Sequence, residues 1–149
     1  MINYNLVYMA KPIYGGWVTF TSHLSLKTNS KVFKISKKNE KNERNYGYGV
    51  KYKNLTINEI IKLPNLIITA LDKHYYEYLE LFPKDTSLVI HDPNELKNKT
   101  NPLITQQLFD NFTIITIREL VYKYLLSNYN CMSKLIKHPF YEYNKNKES

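Results

Sequence analysis

Two adjacent residues, His91 and Asp92, offer the plainest chemistry in this sequence. A histidine can donate to a hydroxyl or phosphate near neutral pH, and an adjacent carboxylate can orient it or offset a developing positive charge. The pair follows the apolar run TSLVI (86–90) and precedes Pro93-Asn94. The same residues therefore also read as a capped turn, with His91 as a strand-end residue. A second candidate is Gly15-Gly16, between an apolar run (5–10) and a stretch in which Val18, Phe20, His23, Leu24 and Leu26 recur at roughly helical spacing. Strand, glycine loop and helix would bring free N–H groups and a helix dipole to one point, where phosphates collect. The plain alternative is a tight turn, for which glycine is the default residue.

Other chemistries find no support. His23, His74, His91 and His138 are dispersed, with no His-x-x-x-His and no paired cysteines, so no metal is expected. The sequence has no Gly-x-Ser-x-Gly elbow, no Walker lysine loop and no full Gly-x-Gly-x-x-Gly, which argues against a nucleotide-cofactor dehydrogenase or an NTPase. The single cysteine, Cys131, rules out an intrachain disulfide. It points to a reducing compartment, the cytoplasm (the host's, for a viral protein). Of fourteen tyrosines, Tyr75, Tyr76 and Tyr78 are spaced to pack partly buried rings on one helix, a core role rather than a stacking platform for bases.

Charge is uneven. Residues 27–53 carry +7 of the net +8. Such a block could meet nucleic acid, anionic lipid or an acidic substrate, with Lys34, Lys37, Lys38 and Arg44 as the contacts. The alternative is a solvated loop, because lysine and asparagine are abundant throughout while alanine and arginine occur twice each. That bias suits an AT-rich genome, as in many large DNA viruses and phages.

These residues need a frame to hold them. The 149 residues suffice for one domain, and 43% hydrophobic composition supports a folded core. No apolar run approaches the roughly 20 residues needed to span a bilayer, and the first ten residues lack the features of a signal peptide. Strands are expected at 5–10, 31–36, 65–71, 86–90 and 112–117, with a weaker one at 46–52 and a short one at 134–136. Helices are expected at 18–26, 73–82 and 118–127, with a short one after the capping box Thr56-Ile57-Asn58-Glu59 and a helical patch near 103–109. Residues 37–45 read as a mobile loop. Strands alternating with helices, without hairpin signals, predict an α/β fold: a three-layer, Rossmann-like domain with a mostly parallel sheet and helices on both faces. Right-handed crossovers would gather the glycine loop, His91-Asp92 and the segments after Leu71 and Ile117 on one sheet edge.

The run Gly15-Gly16-Trp17-Val18-Thr19-Phe20-Thr21-Ser22-His23-Leu24, followed by Lys31-Val32-Phe33-Lys34-Ile35, resembles the opening of retaining glycosyltransferases of the GT-B architecture (glycosyltransferase family 4-like). The strand ending in His91-Asp92-Pro93 and the segment Ile136-Lys137-His138-Pro139-Phe140-Tyr141 look like later landmarks of the same first domain. Phage DNA-base glucosyltransferases are similar there. The resemblance implies a domain over residues 1–141 and a polar tail over 142–149. By it, Gly15 and Gly16 would meet the diphosphate of a sugar nucleotide, the donor substrate. His91, with Asp92, would form the catalytic pair, His91 contacting the transferred sugar. No cofactor and no metal would be needed. The family's donor-binding second domain would begin where this sequence ends. Three readings follow: the acceptor-side half of a split or truncated glycosyltransferase, working with a separate donor-binding chain or as a homo-oligomer; a relic domain serving as an interaction or structural protein; or a nucleic-acid-binding module using residues 27–53.

Overall fold

The computed structural model describes residues 3–10, 16–35, 43–45, 50–84, 86–92 and 109–138. The chain runs β1 (Asn5–Met9), α1 (Gly16–Thr28), β2 (Lys31–Ile35), β3 (Glu43–Asn45), β4 (Lys51–Leu55), α2 (Ile57–Ile60), β5 (Leu66–Leu71), a 3₁₀ helix (Lys73–Leu81), β6 (Ser87–Ile90), β7 (Thr113–Thr116), α3 (Glu119–Tyr129) and β8 (Lys134–Leu135). One sheet holds them in the order β3-β4-β2-β1-β5-β6-β7-β8. Among the described residues seven strands are parallel, and only β3 pairs antiparallel, with β4. Without β3 the order is doubly wound: the chain moves outward from β1 through β2 to β4, then returns to β5 and moves outward the other way. The switch point lies between β1 and β5, where open α/β sheets form their ligand crevice.

Strand side chains alternate between two buried faces, which is why the strands read as continuous apolar runs. Leu6, Tyr8, Val32, Tyr52, Ile67, Ala70 and Val89 form a core with Val18 and Phe20 of α1. Val7, Met9, Phe33, Ile35, Ile68, Leu88, Ile90 and Ile114 form the opposite core with Ile60 of α2, Tyr75 and Leu79 of the 3₁₀ helix, and Val121 and Leu125 of α3. Opposite travel on the two sides of the switch point, with right-handed crossovers, puts the connecting helices on opposite faces. The three-layer Rossmann-like expectation is met.

Local chemistry sets the element ends. The Thr56 side chain accepts from the Glu59 N–H at 3.3 Å while Glu59 Oε1 accepts from the Thr56 N–H at 2.9 Å, the expected capping box. These bonds to Thr56 hold the Glu59 carboxyl below its ordinary pKa. Asn29, Asn65 and Asn130 take left-handed backbone conformations with φ of 53–54°. Asn29 lies in the turn after α1, where the Ser30 N–H bonds the Ser25 carbonyl at 3.0 Å; asparagine tolerates this region better than most residues.

Two expectations need correction. The segment expected to be a loop at 37–45 contains β3; of the strand expected at 46–52, residues 46–49 lie outside the described residues, and β4 runs Lys51–Leu55. A charged triplet, Glu43-Arg44-Asn45, is tolerated because β3 is an edge strand. The helix expected at 73–82 is a 3₁₀ helix, opened by an i→i+3 bond from the Tyr75 N–H to the Asp72 carbonyl at 2.9 Å. Of the helical patch expected near 103–109, only residue 109 falls among the described residues, and helix continues from there through residue 111. No helix among the described residues is long and apolar enough to cross a membrane.

Candidate functional site

The carboxyl end of β5 is irregular. β1 pairs with β5 as Val7↔Ile68 and then Tyr8↔Ala70, so Thr69 is an extra residue, a β-bulge. Its effect on side-chain parity is visible in the packing. Thr69 and Ala70 both face α1: Ala70 joins that core, and Thr69 Oγ1 meets Thr21 Oγ1 of α1 at 2.8 Å. Thr21 Oγ1 also lies 2.8 Å from the Trp17 carbonyl, and Thr69 Oγ1 lies 3.4 Å from the Val7 carbonyl. Both threonines are fully buried, so this chain of bonds satisfies groups that water cannot reach.

The bulged residue also meets His91 through its carbonyl. Pairing of β5 with β6 runs through Ile67↔Ser87 and Ile68↔Leu88. Just past it, the Thr69 carbonyl lies 2.7 Å from His91 Nε2. A carbonyl can only accept, so Nε2 carries the proton, and Nδ1 is the acceptor nitrogen of the neutral ring. Burial pushes His91 down from 6.5 to about 4; the Thr69 carbonyl pulls the other way, and His138 and Arg118 add to the lowering. His91 is therefore a neutral imidazole of fixed tautomer at pH 7. So low a pKa suits it to accept a hydrogen bond rather than to abstract a proton outright.

Aromatic rings and two more histidines surround it. The Phe20 ring stands edge-on to His91 at 4.8 Å between centroids and to His138 at 5.6 Å. His23 of α1 lies 5.8 Å from His138, and Trp17 lies 6.5 Å from His91. Burial first, and then His23, holds the pKa of His138 down. Asp92, next to His91, meets Arg118 at 3.4 Å, with both side chains about half exposed. Among the described residues, no group of three or more His, Cys, Asp or Glu residues could hold a metal ion.

Of the residues read from sequence, His91 and Asp92 stand at the expected sheet edge, and Gly16 opens α1. Gly15, Lys37 and Lys38 lie outside the described residues. Arg44 lies in β3. Lys34 is a correction: it is buried, 7% exposed, with Nζ 3.4 Å from the Ile35 carbonyl, and so does not belong to an open basic surface. Its side chain falls on the α1 side of β2, a face that the alternation in 31–36 had left to solvent. The expected orienting role of Asp92 passes in part to the Thr69 carbonyl. Sequence reasoning missed Thr69, Trp17, Phe20, His23 and Arg118 as site residues. Their only signal was position: Phe20 and His23 are three apart on one helix face, and Arg118 follows the strand next to β6.

A cavity of about 340 Å³ lies at the opposite, amino edge of the sheet, lined by residues that include Tyr4, Pro64, Asn65, Pro83 and Thr86. It holds no histidine and no carboxylate, so the convergent titratable groups lie elsewhere. Comparison with protein-family models, with curated proteins and with solved structures finds no match to this chain.

Proposed function

We propose that this chain is a glycosyltransferase-like domain, the acceptor side of a sugar-nucleotide-dependent retaining enzyme that draws its donor site from a partner. The observation that carries the reading is His91, neutral and fixed in tautomer at the carboxyl end of β6, bonded to the Thr69 carbonyl of β5 beside the switch point of a doubly wound sheet. A hydroxyl-bearing ligand at that sheet edge would meet a neutral imidazole whose orientation is set before binding by its bond to the Thr69 carbonyl. Phe20 and Trp17 form an apolar wall beside the ring, and the N-terminus of α1 opens nearby for a diphosphate. In such a site catalysis is positioning plus electrostatic support of the departing phosphate, and it asks His91 to hold a hydroxyl, not to change charge.

The test is calorimetric titration with a panel of UDP- and GDP-sugars, of the chain alone and mixed with any co-encoded partner chain. Saturable binding is expected in the mixture, weakened about tenfold or more by His91→Ala, the effect of losing one hydrogen bond worth ~1–3 kcal/mol. Absence of binding both alone and with the partner refutes the reading. A second reading, an interaction protein, has one observation in its favour: Leu120, Met132 and Leu135, on α3 and around β8, are 66%, 78% and 44% exposed. Concentration-dependent mass by light scattering, abolished by Leu120→Lys, would support it.

A further inference from the structure

His138 lies three residues past β8, at the far edge of the sheet. The sheet order puts β7 and β6 between that edge and the strands under α1. The Ile136 N–H still bonds the Thr116 carbonyl at 2.9 Å, continuing the edge pairing. By His138 the chain has crossed to α1, where its ring packs on Phe20 at 5.6 Å and His23 at 5.8 Å. Three extended residues span about 10 Å, and the His138 side chain adds the rest of the reach to α1. It ends against the same phenylalanine that His91 packs on.

We propose that His23, His91 and His138 form a pH-operated latch, closed while the rings are neutral, that fastens the segment after β8 to α1 beside His91. The inference does not depend on the reaction proposed above. His91 and His138, from separate elements, share one hydrophobic pivot, Phe20, itself 1% exposed, and His23 of α1 packs on His138. His23 is 7% exposed, and the other two are part-buried. Histidine is the side chain whose charge changes in this pH range, and a proton placed on one ring raises the cost of a proton on the next. The charged and titratable groups around the cluster are His23 from α1, His91 and Asp92 from the end of β6, Arg118 from the start of α3, and Lys137 on the segment itself. Asp92 is met by Arg118 at 3.4 Å, while Arg118 and His138 both disfavour a charge on His91. The closed form thus holds His91 and His138 below their ordinary pKa, and opening restores them to water. Acid therefore drives opening, in the sense required by linkage.

The test follows amide exchange of residues 136–138 in the intact, isotope-labelled chain from pH 7.5 to 5, corrected for intrinsic chemical rates, with the histidine Cε1–H resonances recorded in parallel. Exchange of the segment is expected to accelerate about tenfold or more on acidification, with a midpoint that coincides with the titration of His138, while β1 and β5 amides stay protected. His138→Phe keeps a ring on Phe20 but cannot take a proton, and its segment should stay protected to within about twofold across the range. Unchanged protection in the wild-type chain overturns the latch. So does an exchange midpoint more than about half a pH unit from the His138 titration, a comparison that needs no variant.

Discussion

His91→Phe separates the electrostatic burden of the buried imidazole from its packing. Phenylalanine keeps a ring against Phe20 but cannot donate to the Thr69 carbonyl or bind a proton. In the wild-type chain the His91 pKa falls from 6.5 to about 4 on folding. At ~1.4 kcal/mol for each tenfold change in proton affinity, that gap corresponds to about 3 kcal/mol of stability. Above pH 6.5 the ring is neutral in both states and imposes no penalty. As pH falls below 6.5 the unfolded chain takes up a proton that the folded chain refuses until about pH 4. Folded-state stability from this group is thus fully present above 6.5 and lost between 6.5 and about 4. The variant lacks this slope. At pH 7.5 it should be less stable by ~1–3 kcal/mol, because a buried carbonyl has lost its donor. By pH 4.5 the wild-type chain should have given up about 2–3 kcal/mol more than the variant, so the gap closes or reverses. Urea unfolding at a series of pH values, with unchanged m, reads this difference directly, and the carboxylates common to both chains cancel. A wild-type-minus-variant difference that stays flat from pH 7.5 to 4.5 would show that His91 is not buried as a neutral ring, and the reasoning fails.

Deleting Thr69 should leave the fold intact, because Ile67-Ile68-Ala70-Leu71 then alternates regularly between the two cores. The slowly exchanging Nε2–H resonance of His91 should vanish, and its persistence would mean that the bulge does not hold the ring. Leu125→Ala, at a fully buried site between α3 and the sheet, should cost ~2–5 kcal/mol in urea unfolding. Arg118→Ala should change stability by no more than ~0.5 kcal/mol, because its pair with Asp92 is about half exposed at both ends.

The parallel sheet was legible because both of its faces are covered. Runs such as Leu66–Leu71 and Ser87–Ile90 must then be apolar at nearly every position. The same coverage hid Lys34, whose alternation with Phe33 and Ile35 suggested a solvent face. α1 covers that face, and the aliphatic stem can lie buried while Nζ reaches the Ile35 carbonyl. The bulge was invisible for a related reason: Thr69-Ala70 is a pair of small residues inside an apolar run, and nothing in their types announces a change of parity. β3 was missed because an edge strand can be charged, and its three residues carry no alternation to detect. His91-Asp92 was legible as a strand end, but the histidine cluster was not. His23 and His138 are 115 positions apart, and only the sheet order brings their rings within 5.8 Å of each other. The asparagines that composition assigns to genome bias include three in the left-handed region, so part of that bias also serves the backbone.

The two edges of the sheet differ in what their polar groups have left to do. At the amino edge, the groups around the cavity close connections within the chain. The Tyr4 N–H bonds Ser30 Oγ at 2.9 Å, Asn5 Nδ2 bonds the Pro64 carbonyl at 2.7 Å, and Thr86 Oγ1 bonds the Pro83 carbonyl at 2.7 Å. The first two tie the start of β1 to the turns before β2 and β5, and the third ties the start of β6 to the turn before it, which is a structural task. At the carboxyl edge the chain gives up regular pairing at Thr69, and the Thr69 carbonyl meets one histidine. A histidine that merely ended β6 would need no such partner, since a half-buried ring could turn one nitrogen to water. Here the partner sets the tautomer, burial removes the charge, and Phe20 limits rotation of the ring. All three constraints act on the side chain that the topology has already brought beside the crevice. Their convergence, rather than the presence of a histidine at a strand end, is what makes the carboxyl edge the place to look for bound ligand.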